Sequence, residues 1–429
     1  MWERFERGAL PRWVHVRQQL HDAALVDVAA AVAAEFARPE ARAAIRPGIR
    51  VALTGGSRGI DRIDQVLTAA VAAVRQLGGE PFVVPAMGSH GGATAEGQRA
   101  LLAEYGVTEQ SVGCPIRASM ETVLLGHVDD FALDSGMARV PVWFDAIAQR
   151  EADVVIPIGR VKPHTDFHGP TESGLLKMIA IGLGKQHGAD TFHSYGFASF
   201  ARLIPAVARF TLGQGQIPFG LALVEDGHGR LAHVEALSAA RMEAREQELL
   251  QQARDWMPRL PVDQVDVLIV DAIGKDISGI GADTNVLNRY YGGPLDLTPQ
   301  IQRLIVRDLT PATEGNATGI GLFDVALRQA VAKIDAASTA MNVITAKKPE
   351  GARVPITVDT DRQALFVAIA CCLRVESAQA RIARIGDTKH LETFWASEPL
   401  LPDLLATGRV APLGELAEIA FDAAGMFTV

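Results

Sequence analysis

The sequence has few cysteines, few aromatic residues and no long apolar run. Two of its three cysteines, Cys114, Cys371 and Cys372, are adjacent, so the sequence predicts neither a disulfide framework nor a CxxC metal site. The longest apolar stretches, residues 265–273 and 364–373, are too short to cross a bilayer, and the N-terminus lacks the apolar region of a signal peptide. We therefore expect a cytoplasmic protein with reduced thiols and no membrane partner.

Excess positive charge is also lacking. The chain has 41 basic and 50 acidic residues, a formal net charge of −9, and its basic residues form no stripe with interleaved aromatics. This distribution argues against nucleic acid as a partner. The 48% of hydrophobic and 21% of charged residues are typical of a globular protein, and 429 residues suffice for two or three domains.

Apolar segments alternate with glycine-rich loops and helical patterns in the first part of the chain. Residues 50–54 and 81–85 are typical of buried strands, and residues 62–77 and 95–105 are typical of helices that end at glycines. A third strand is predicted within residues 152–158. Because strands alternate with helices, we expect an α/β fold with mostly parallel sheets.

The second half repeats this organisation on a smaller scale. It opens with a predicted strand at 265–270, followed by a helix at 321–333 and a strand at 364–370. Two helices, at 22–38 and 230–256, are predicted before it, and the second of these is expected to be a solvated connector. We predict two α/β domains, residues 1–260 and 261–429, with an active-site cleft between them. The last helix is a candidate to pack back on the first domain.

Two glycine-rich loops follow the first strands. Gly55-Gly56-Ser57-Arg58-Gly59 combines flexible backbone, a hydroxyl and a guanidinium at a helix start, a suitable cradle for a phosphate or carboxylate. His90 lies among glycines in residues 88–92, where a substrate can approach the backbone and the imidazole can transfer a proton near neutral pH.

The segment 162–193 contains four histidines and three lysines just after a predicted buried strand. The strand ends of open α/β sheets are where such folds bind ligands, so this segment is the main candidate for chemistry. His164 and His168 have the i, i+4 spacing of metal ligands, although Gly169-Pro170 argues against a helix there. A zinc site that also uses His193 stays an open alternative.

These residues resemble the nickel-dependent lactate racemase family of 2-hydroxyacid racemases and epimerases. The match consists of His90 in MGSHGG, the pair Pro163-His164, Lys177 in SGLLKM, and His193, which follows Lys177 by 16 residues as in the family. The interval from His164 to Lys177 is three residues longer than the family's, so His168 is the alternative to His164. The resemblance spans residues 45 to 290.

The resemblance implies a nickel-pincer nucleotide, the nickel complex of pyridinium-3,5-bisthiocarboxylic acid mononucleotide, bound covalently to Lys177. His193 would then ligate nickel, and Arg58 and Ser57 would bind the nucleotide. His90 and His164 would serve as the two bases, one for each enantiomer. Lys275, which follows the predicted strand 265–270, resembles the family lysine that binds the substrate carboxylate or keto oxygen.

The implied activity is an isomerase that inverts the 2-carbon of a 2-hydroxyacid by hydride transfer. Its expected partners are the small-molecule substrate and the cofactor-synthesis enzymes, and a homo-oligomer is a candidate assembly. Two alternatives stay open. One is a zinc hydrolase or lyase that uses His164, His168 and His193. The other is a non-catalytic anion-binding protein that uses Arg58, Lys162 and Lys275.

Overall fold

The computed structural model describes residues 2–57, 59–133, 136–291 and 293–429. Contacts divide the chain into two units, an N-terminal unit of Asp22–Met257 and a C-terminal unit that joins Met1–His21 to Pro258–Val429. The predicted boundary at 260 lies three residues from this division. The grouping of the first 21 residues with the C-terminal unit was not predicted from the sequence.

Two small sheets and a hairpin form the β-structure of the N-terminal unit. In the first sheet, all strands are parallel, in the order Glu80–Pro85, Arg50–Gly55 and Val154–Ile156. In the second, Ile158–Arg160 pairs parallel with Phe219–Glu225, which pairs antiparallel with Leu231–Ser238. The hairpin consists of Thr122–Leu133 and Gly136–Asp145.

Helices cover these strands, and their ends carry the signals expected from the sequence. Ile63–Gln76 buries an apolar stripe against the sheet, and Ala95–Glu104 begins at Thr94, whose side chain accepts the backbone N–H of Gly97. The helices of the unit are Val28–Phe36, Pro39–Ala44, Ile63–Gln76, Ala95–Glu104, Glu109–Val112, Ala146–Glu151, Leu175–Lys177, the π-helix Met178–Gly182, Lys185–Tyr195, Phe200–Leu212 and Met242–Trp256.

One predicted helix of this unit is wrong in two respects. Residues 231–238 form a strand rather than the first part of a helix at 230–256. The remaining helix, Met242–Trp256, is not a solvated connector, because it buries Met242, Glu246, Leu249, Leu250 and Ala253 along one face. The predicted helix at 22–38 is shorter, Val28–Phe36, and begins at the cap Asp27.

The C-terminal unit contains one nine-stranded sheet. Its parallel part runs in the order Ile356–Val358, Val325–Leu327, Gln300–Leu309, Gln264–Ile273, Ile382–Ile385. Antiparallel strands continue it: Thr393–Ser397, Arg12–Gln18, Val410–Pro412 and Ala417–Glu418. A separate short pair is Arg289–Tyr290 with Gly293–Pro294. The helices are Thr284–Leu287, Arg328–Ala332, Ala336–Thr345, Asp361–Ala370 and Leu401–Ala406.

Two predicted elements of this unit are wrong. Residues 364–370 belong to the helix Asp361–Ala370, whose Ala364 to Ile369 are all buried, so no polar face distinguished the segment from a buried strand. The predicted long helix at 321–333 is a strand, Val325–Leu327, followed by a short helix.

The α/β class is confirmed, with parallel strands at the centre of each unit. None of the helices in the described ranges is long and apolar enough to span a membrane. All three cysteines are free, and burial raises the pKa of the Cys114 thiol to about 11 and that of Cys372 to about 12. Thiols of this kind stay protonated and unreactive at neutral pH.

Candidate active site

Two sheets of the N-terminal unit meet where their polar loops begin. Thr54, at the end of the strand Arg50–Gly55, accepts the backbone N–H of Ile158 at 2.9 Å, and its hydroxyl donates to Sδ of Met178 at 2.7 Å. Met178 directly follows Lys177. The residues after the parallel strands therefore lie beside the helical segment that carries the predicted tether lysine, at the sheet edge where α/β proteins bind ligands.

His90 has a fixed place in the loop after the strand Glu80–Pro85. Its Nδ1 is hydrogen-bonded to the hydroxyl of Ser57, and the Tyr105 hydroxyl donates to the Ser57 carbonyl at 2.5 Å. The fully buried amide of Gln98 donates to the carbonyls of Gly88 at 3.0 Å and His90 at 3.3 Å. Ser57 therefore orients an exposed imidazole that is held by a rigid loop.

The same loop packs against the helical segment 178–189. The backbone N–H of Gly88 donates to the Gly182 carbonyl at 3.2 Å, and Gly88 itself has a φ of 58°. A Cβ at Gly88 would lie 3.5 Å from Ile181 and 3.6 Å from Ala189. Because Ala189 lies one helical turn before His193, the loop of His90 and the helix of His193 are packing neighbours.

The loop after Ile158–Arg160 is organised by one buried carboxylate, Glu172. It accepts the backbone N–H groups of His164 at 2.6 Å and Gly169 at 3.2 Å, and it pairs with Arg254 at 2.6 Å and His168 Nδ1 at 3.3 Å. Burial pushes the pKa of Glu172 upward, but these hydrogen bonds outweigh burial and hold it below its usual value. Glu172 is therefore ionised and fixes the loop.

His164 and His168 occupy different environments. His164 is buried, and its Nδ1 accepts the backbone N–H of Asp166 at 2.9 Å, which assigns the proton of the neutral ring to Nε2. His168 is more exposed and is directed to Glu172. Of the two candidates for the second base, His164 contacts the aromatic side chains described next.

Lys177 and His193 lie on two helices that are separated by a sharp change of direction. The first helix continues into the π-helix Met178–Gly182, and such π-turns are frequent at functional sites. Lys185 begins the second helix with a φ of 52°, which interrupts the regular helical path. Its buried ammonium contacts Asp145 at 2.8 Å and donates to the Pro85 carbonyl. The interruption is thus held by a buried ion pair.

An aromatic cluster, which we define as Phe167, Phe197 and Phe200, lies between three of the predicted site residues. The His164 ring lies 4.4 Å from the ring of Phe167, and the Lys177 ammonium lies 5.9 Å from the same ring. The His193 ring stacks on Phe200 at 5.9 Å, with an interplanar angle of 19°. The phenyl rings of Phe167 and Phe200 are themselves 5.3 Å apart. His164, Lys177 and His193 therefore surround one apolar patch.

Three further predicted residues, Arg58, Lys275 and Lys162, are not part of this arrangement as described. Arg58 lies outside the described residues. Lys275 is an exposed residue of the C-terminal unit, just after the strand Gln264–Ile273, and its ammonium donates to the Gly279 carbonyl at 2.7 Å and to Asn342 at 2.9 Å. Lys162 pairs through its backbone with Ser173. The roles predicted for these and the other site residues stay predictions.

The zinc alternative is not supported by the side-chain arrangement. Within the described ranges, no three His, Cys, Asp or Glu side chains lie in a group that could hold a metal ion. Nδ1 of His168 contacts Glu172, and Nδ1 of His164 accepts the backbone N–H of Asp166. His164, His168 and His193 do not make up such a group among the described residues. A single imidazole, His193, remains suitable for a metal that receives its other ligands from a cofactor.

Some structural partners of the site were missed by sequence reasoning. Glu246 could have been found, because residues 242, 246, 249, 250 and 253 follow the spacing of a buried helical face. Glu172 and Lys185 carried no such signal, because their partners, Arg254 and Asp145, are distant in sequence.

A cavity of about 850 Å³ lies in the C-terminal unit. It is lined by Arg4, Arg7, Arg374 and apolar residues that include Phe366 and Ile369. None of the predicted site residues that the structure describes lines it.

Comparisons with known proteins do not identify the family of this chain. No family model matches the chain, and no curated protein matches it. Among solved structures, it is similar to the lactate racemase apoprotein from Thermoanaerobacterium thermosaccharolyticum, with 14% identity over 80% of this chain and 95% of the other and a TM-score of 0.44. At this TM-score, the likeness establishes neither the family of the chain nor its activity.

Proposed function

We propose that the protein is an isomerase, a racemase or epimerase of 2-hydroxyacids, and that Lys177 carries a nickel-pincer nucleotide. The observation that carries the proposal is the grouping of a lysine and two histidines, Lys177, His164 and His193, around one aromatic cluster near the ends of parallel strands. The 16-residue interval from Lys177 to His193, which matches the lactate racemase family, supports it further.

The residues present fit such a cofactor. The Lys177 amine is suited to a thioamide link, and the His193 imidazole is suited to nickel that already has sulfur ligands. The phenyl rings of the aromatic cluster offer flat apolar faces to a pyridinium ring, which such faces attract as they attract other cations. When bound, the nucleotide supplies a reversible hydride acceptor, which the chain itself does not provide.

The chain supplies proton transfer and positioning. We assign His90 as one base, because a hydrogen bond from its Nδ1–H to Ser57 would make Nε2 the unprotonated nitrogen that accepts the substrate hydroxyl proton. We assign His164 to the opposite face, where its Nε2–H would hydrogen-bond the substrate oxygen. The proton that His90 takes from the hydroxyl would return from His90 to the alkoxide once the hydride has come back to carbon. Lys275 stays a predicted carboxylate-binding residue.

The buried aromatic side chains would also restrict water near the reacting carbon. Phe167 and Phe200 are buried, and Phe197 is half-buried beside His164 and His193. Exclusion of water strengthens electrostatic interactions and protects reactive intermediates from side reactions. Replacement of Phe197 by a small polar residue would therefore affect activity more than folding.

The test is coexpression with the cofactor-synthesis enzymes, followed by intact mass, nickel analysis and a chiral screen of 2-hydroxyacids. We expect a mass increase on Lys177, one nickel per chain and interconversion of enantiomers. Lys177→Ala should lose all three, whereas Lys333→Ala, an exposed lysine paired with Asp308, should lose none. An unmodified, nickel-free protein with full racemase activity would disprove the cofactor assignment.

A further inference from the structure

A buried carboxylate from another helix caps the helix that carries Lys177. Glu246, on Met242–Trp256, is fully buried, and its Oε2 accepts the backbone N–H groups of Leu175 at 2.6 Å and Leu176 at 3.1 Å. These are among the N–H groups that a helix start leaves without partners in its own helix. The residue before the helix, Gly174, contributes no side-chain cap, so Glu246 supplies it.

Gly174 is shaped to admit this carboxylate. A Cβ at Gly174 would lie 2.4 Å from Cδ of Glu246 and 2.6 Å from each of its oxygens. The backbone of Gly174 is extended, with a φ of 171°, so its conformation does not require glycine. The close approach of Glu246 is therefore the reason that this position has no side chain.

Burial of a glutamate in this place has a cost. Desolvation raises the pKa of Glu246 to about 7 despite the two backbone hydrogen bonds, and its Oε1 has no hydrogen-bond partner among the described residues. An apolar side chain of similar volume would avoid this cost, but it would leave the amides of Leu175 and Leu176 without an acceptor. The carboxylate therefore contributes, at these two amides, what an apolar residue cannot.

Capping of Leu175 and Leu176 by Glu246 affects the next residue, Lys177. Oε2 holds the amides of Leu175 and Leu176, and Lys177 is the third residue of the same short helix. The direction of a helical side chain is set by the direction of its first turn. A change at Glu246 would thus move the Lys177 ammonium relative to Phe167.

We infer that Glu246 is a positioning residue, which orients Lys177 toward the aromatic cluster by capping the first turn of its helix. The importance of Glu246 for cofactor attachment rests on the proposed function. The capping and its effect on the Lys177 amine are independent of that function, and both can be measured without any cofactor.

The experiment uses the full-length protein produced without the cofactor-synthesis enzymes. The variants are Glu246→Leu, the isosteric Glu246→Gln, and Gly174→Ala, which obstructs the carboxylate from the other side. Glu248→Gln is the matched control, because Glu248 is an exposed carboxylate on the same helix and pairs with Arg245. Amide hydrogen exchange is measured for the peptide that contains residues 175–177. Acetylation of Lys177 is measured by mass spectrometry relative to the exposed Lys333 of the same digest.

We expect Glu246→Leu and Gly174→Ala to accelerate exchange at residues 175–176 by about tenfold or more, the loss expected when a buried donor is left without its acceptor. The acetylation rate of Lys177 relative to Lys333 should change about threefold or more by the same reasoning. Glu246→Gln should be intermediate, because its amide oxygen still accepts, and Glu248→Gln should match the wild type.

Two results would overturn the inference. One is wild-type exchange and acetylation in both Glu246→Leu and Gly174→Ala. The other is a uniform increase in exchange over the whole N-terminal unit, with Lys177 and Lys333 acetylated in their wild-type ratio, because that pattern indicates a purely structural role. Failure of the wild type to acquire the nucleotide on coexpression would contradict the proposed function and leave these measurements unaffected.

Discussion

At the scale of single residues, the hydroxyl of Ser57 determines how His90 presents its imidazole. The sequence suggested that Ser57 binds a cofactor, and the structure shows it hydrogen-bonded to Nδ1 of His90. A side chain that binds one ring nitrogen fixes the tautomer, and therefore decides what the other nitrogen can do. The site consequently depends on Ser57 even if Ser57 has no contact with a ligand.

Replacement of Ser57 should therefore weaken the base. We predict that Ser57→Ala lowers kcat/KM by about 10- to 100-fold, the usual effect of removing a group that orients a functional histidine. Ser57→Thr, which retains the hydroxyl, should retain most of the activity. The nitrogen-15 shifts of His90 should show one tautomer in the wild type and a mixture in Ser57→Ala. Equal shifts in the two proteins would contradict this role.

The ion pair of Lys185 and Asp145 supports the site from within the core. Both side chains are fully buried, and removal of one partner leaves an uncompensated charge. We predict that Lys185→Met lowers the free energy of unfolding by about 3–5 kcal/mol. Lys185→Met with Asp145→Asn should be less unstable than the sum of the single variants, as chemical denaturation can determine. Additive effects would show that the pair is not coupled.

At the scale of elements, sequence patterns succeeded where each helix end had its own local signal. The helix Ala95–Glu104 was predicted from the glycine that follows it, and the structure shows a φ of 76° at Gly106 and a side-chain cap at Thr94. The strand Leu231–Ser238 was mistaken for a helix, since its pairing with Phe219–Glu225 depends on a partner that local composition does not reveal. Tertiary pairing overrode propensity there.

Glu246, through which Met242–Trp256 docks on the helix of Lys177, should make the free energy of unfolding depend on pH. The folded pKa of Glu246, about 7, lies above the value of about 4.3 expected in the unfolded chain. The folded state therefore binds the proton of Glu246 more tightly than the unfolded chain does. The protonated Glu246 thus stabilises the fold fully below pH ~4.3, and this stabilisation is lost as the pH rises through about 7.

We therefore compare the wild type with Glu246→Gln, which has no proton to lose. From pH 4.5 to 8, the free energy of unfolding of the wild type should fall by about 3 kcal/mol more than that of the variant. Urea unfolding at several pH values measures the difference. Parallel curves for the two proteins would contradict the raised pKa.

At the scale of the whole molecule, the N-terminal unit contains its own hydrophobic cores. Among the described residues, two apolar clusters lie between Val28 and Ala253, whereas a cluster of the C-terminal unit unites Trp13 with residues 267–419. The N-terminal unit is also continuous in sequence, Asp22–Met257. A continuous segment with complete cores can fold alone.

We predict that a fragment of residues 22–257 folds cooperatively and keeps the local structure around Lys177. Circular dichroism during thermal unfolding should show one sharp transition, and the amides of Leu175 and Leu176 should stay protected from exchange. A fragment 258–429 without the strand Arg12–Gln18 should be much less stable, because that strand lies between Thr393–Ser397 and Val410–Pro412. A non-cooperative transition of the first fragment would refute its independence.

The sequence indicated where to look for a site, but not the support around it. The segment 162–193 was selected because titratable groups follow a predicted buried strand, and the family resemblance singled out Lys177, His164 and His193 within it. The structure places these three around the aromatic cluster, and their roles stay predictions. The contacts of Glu246 with Leu175 and of Lys185 with Asp145 join distant parts of the chain. Such contacts follow from the packing of elements, which a single sequence does not specify.

The most direct test of the central claim is peptide mass spectrometry of Lys177 in protein coexpressed with the cofactor-synthesis enzymes. The account predicts that the peptide containing Lys177 carries the mass of the nucleotide in a thioamide link and that nickel is present in equal amount. It also predicts that racemase activity rises in proportion to the modified fraction. An unmodified Lys177 in a fully active preparation would contradict it.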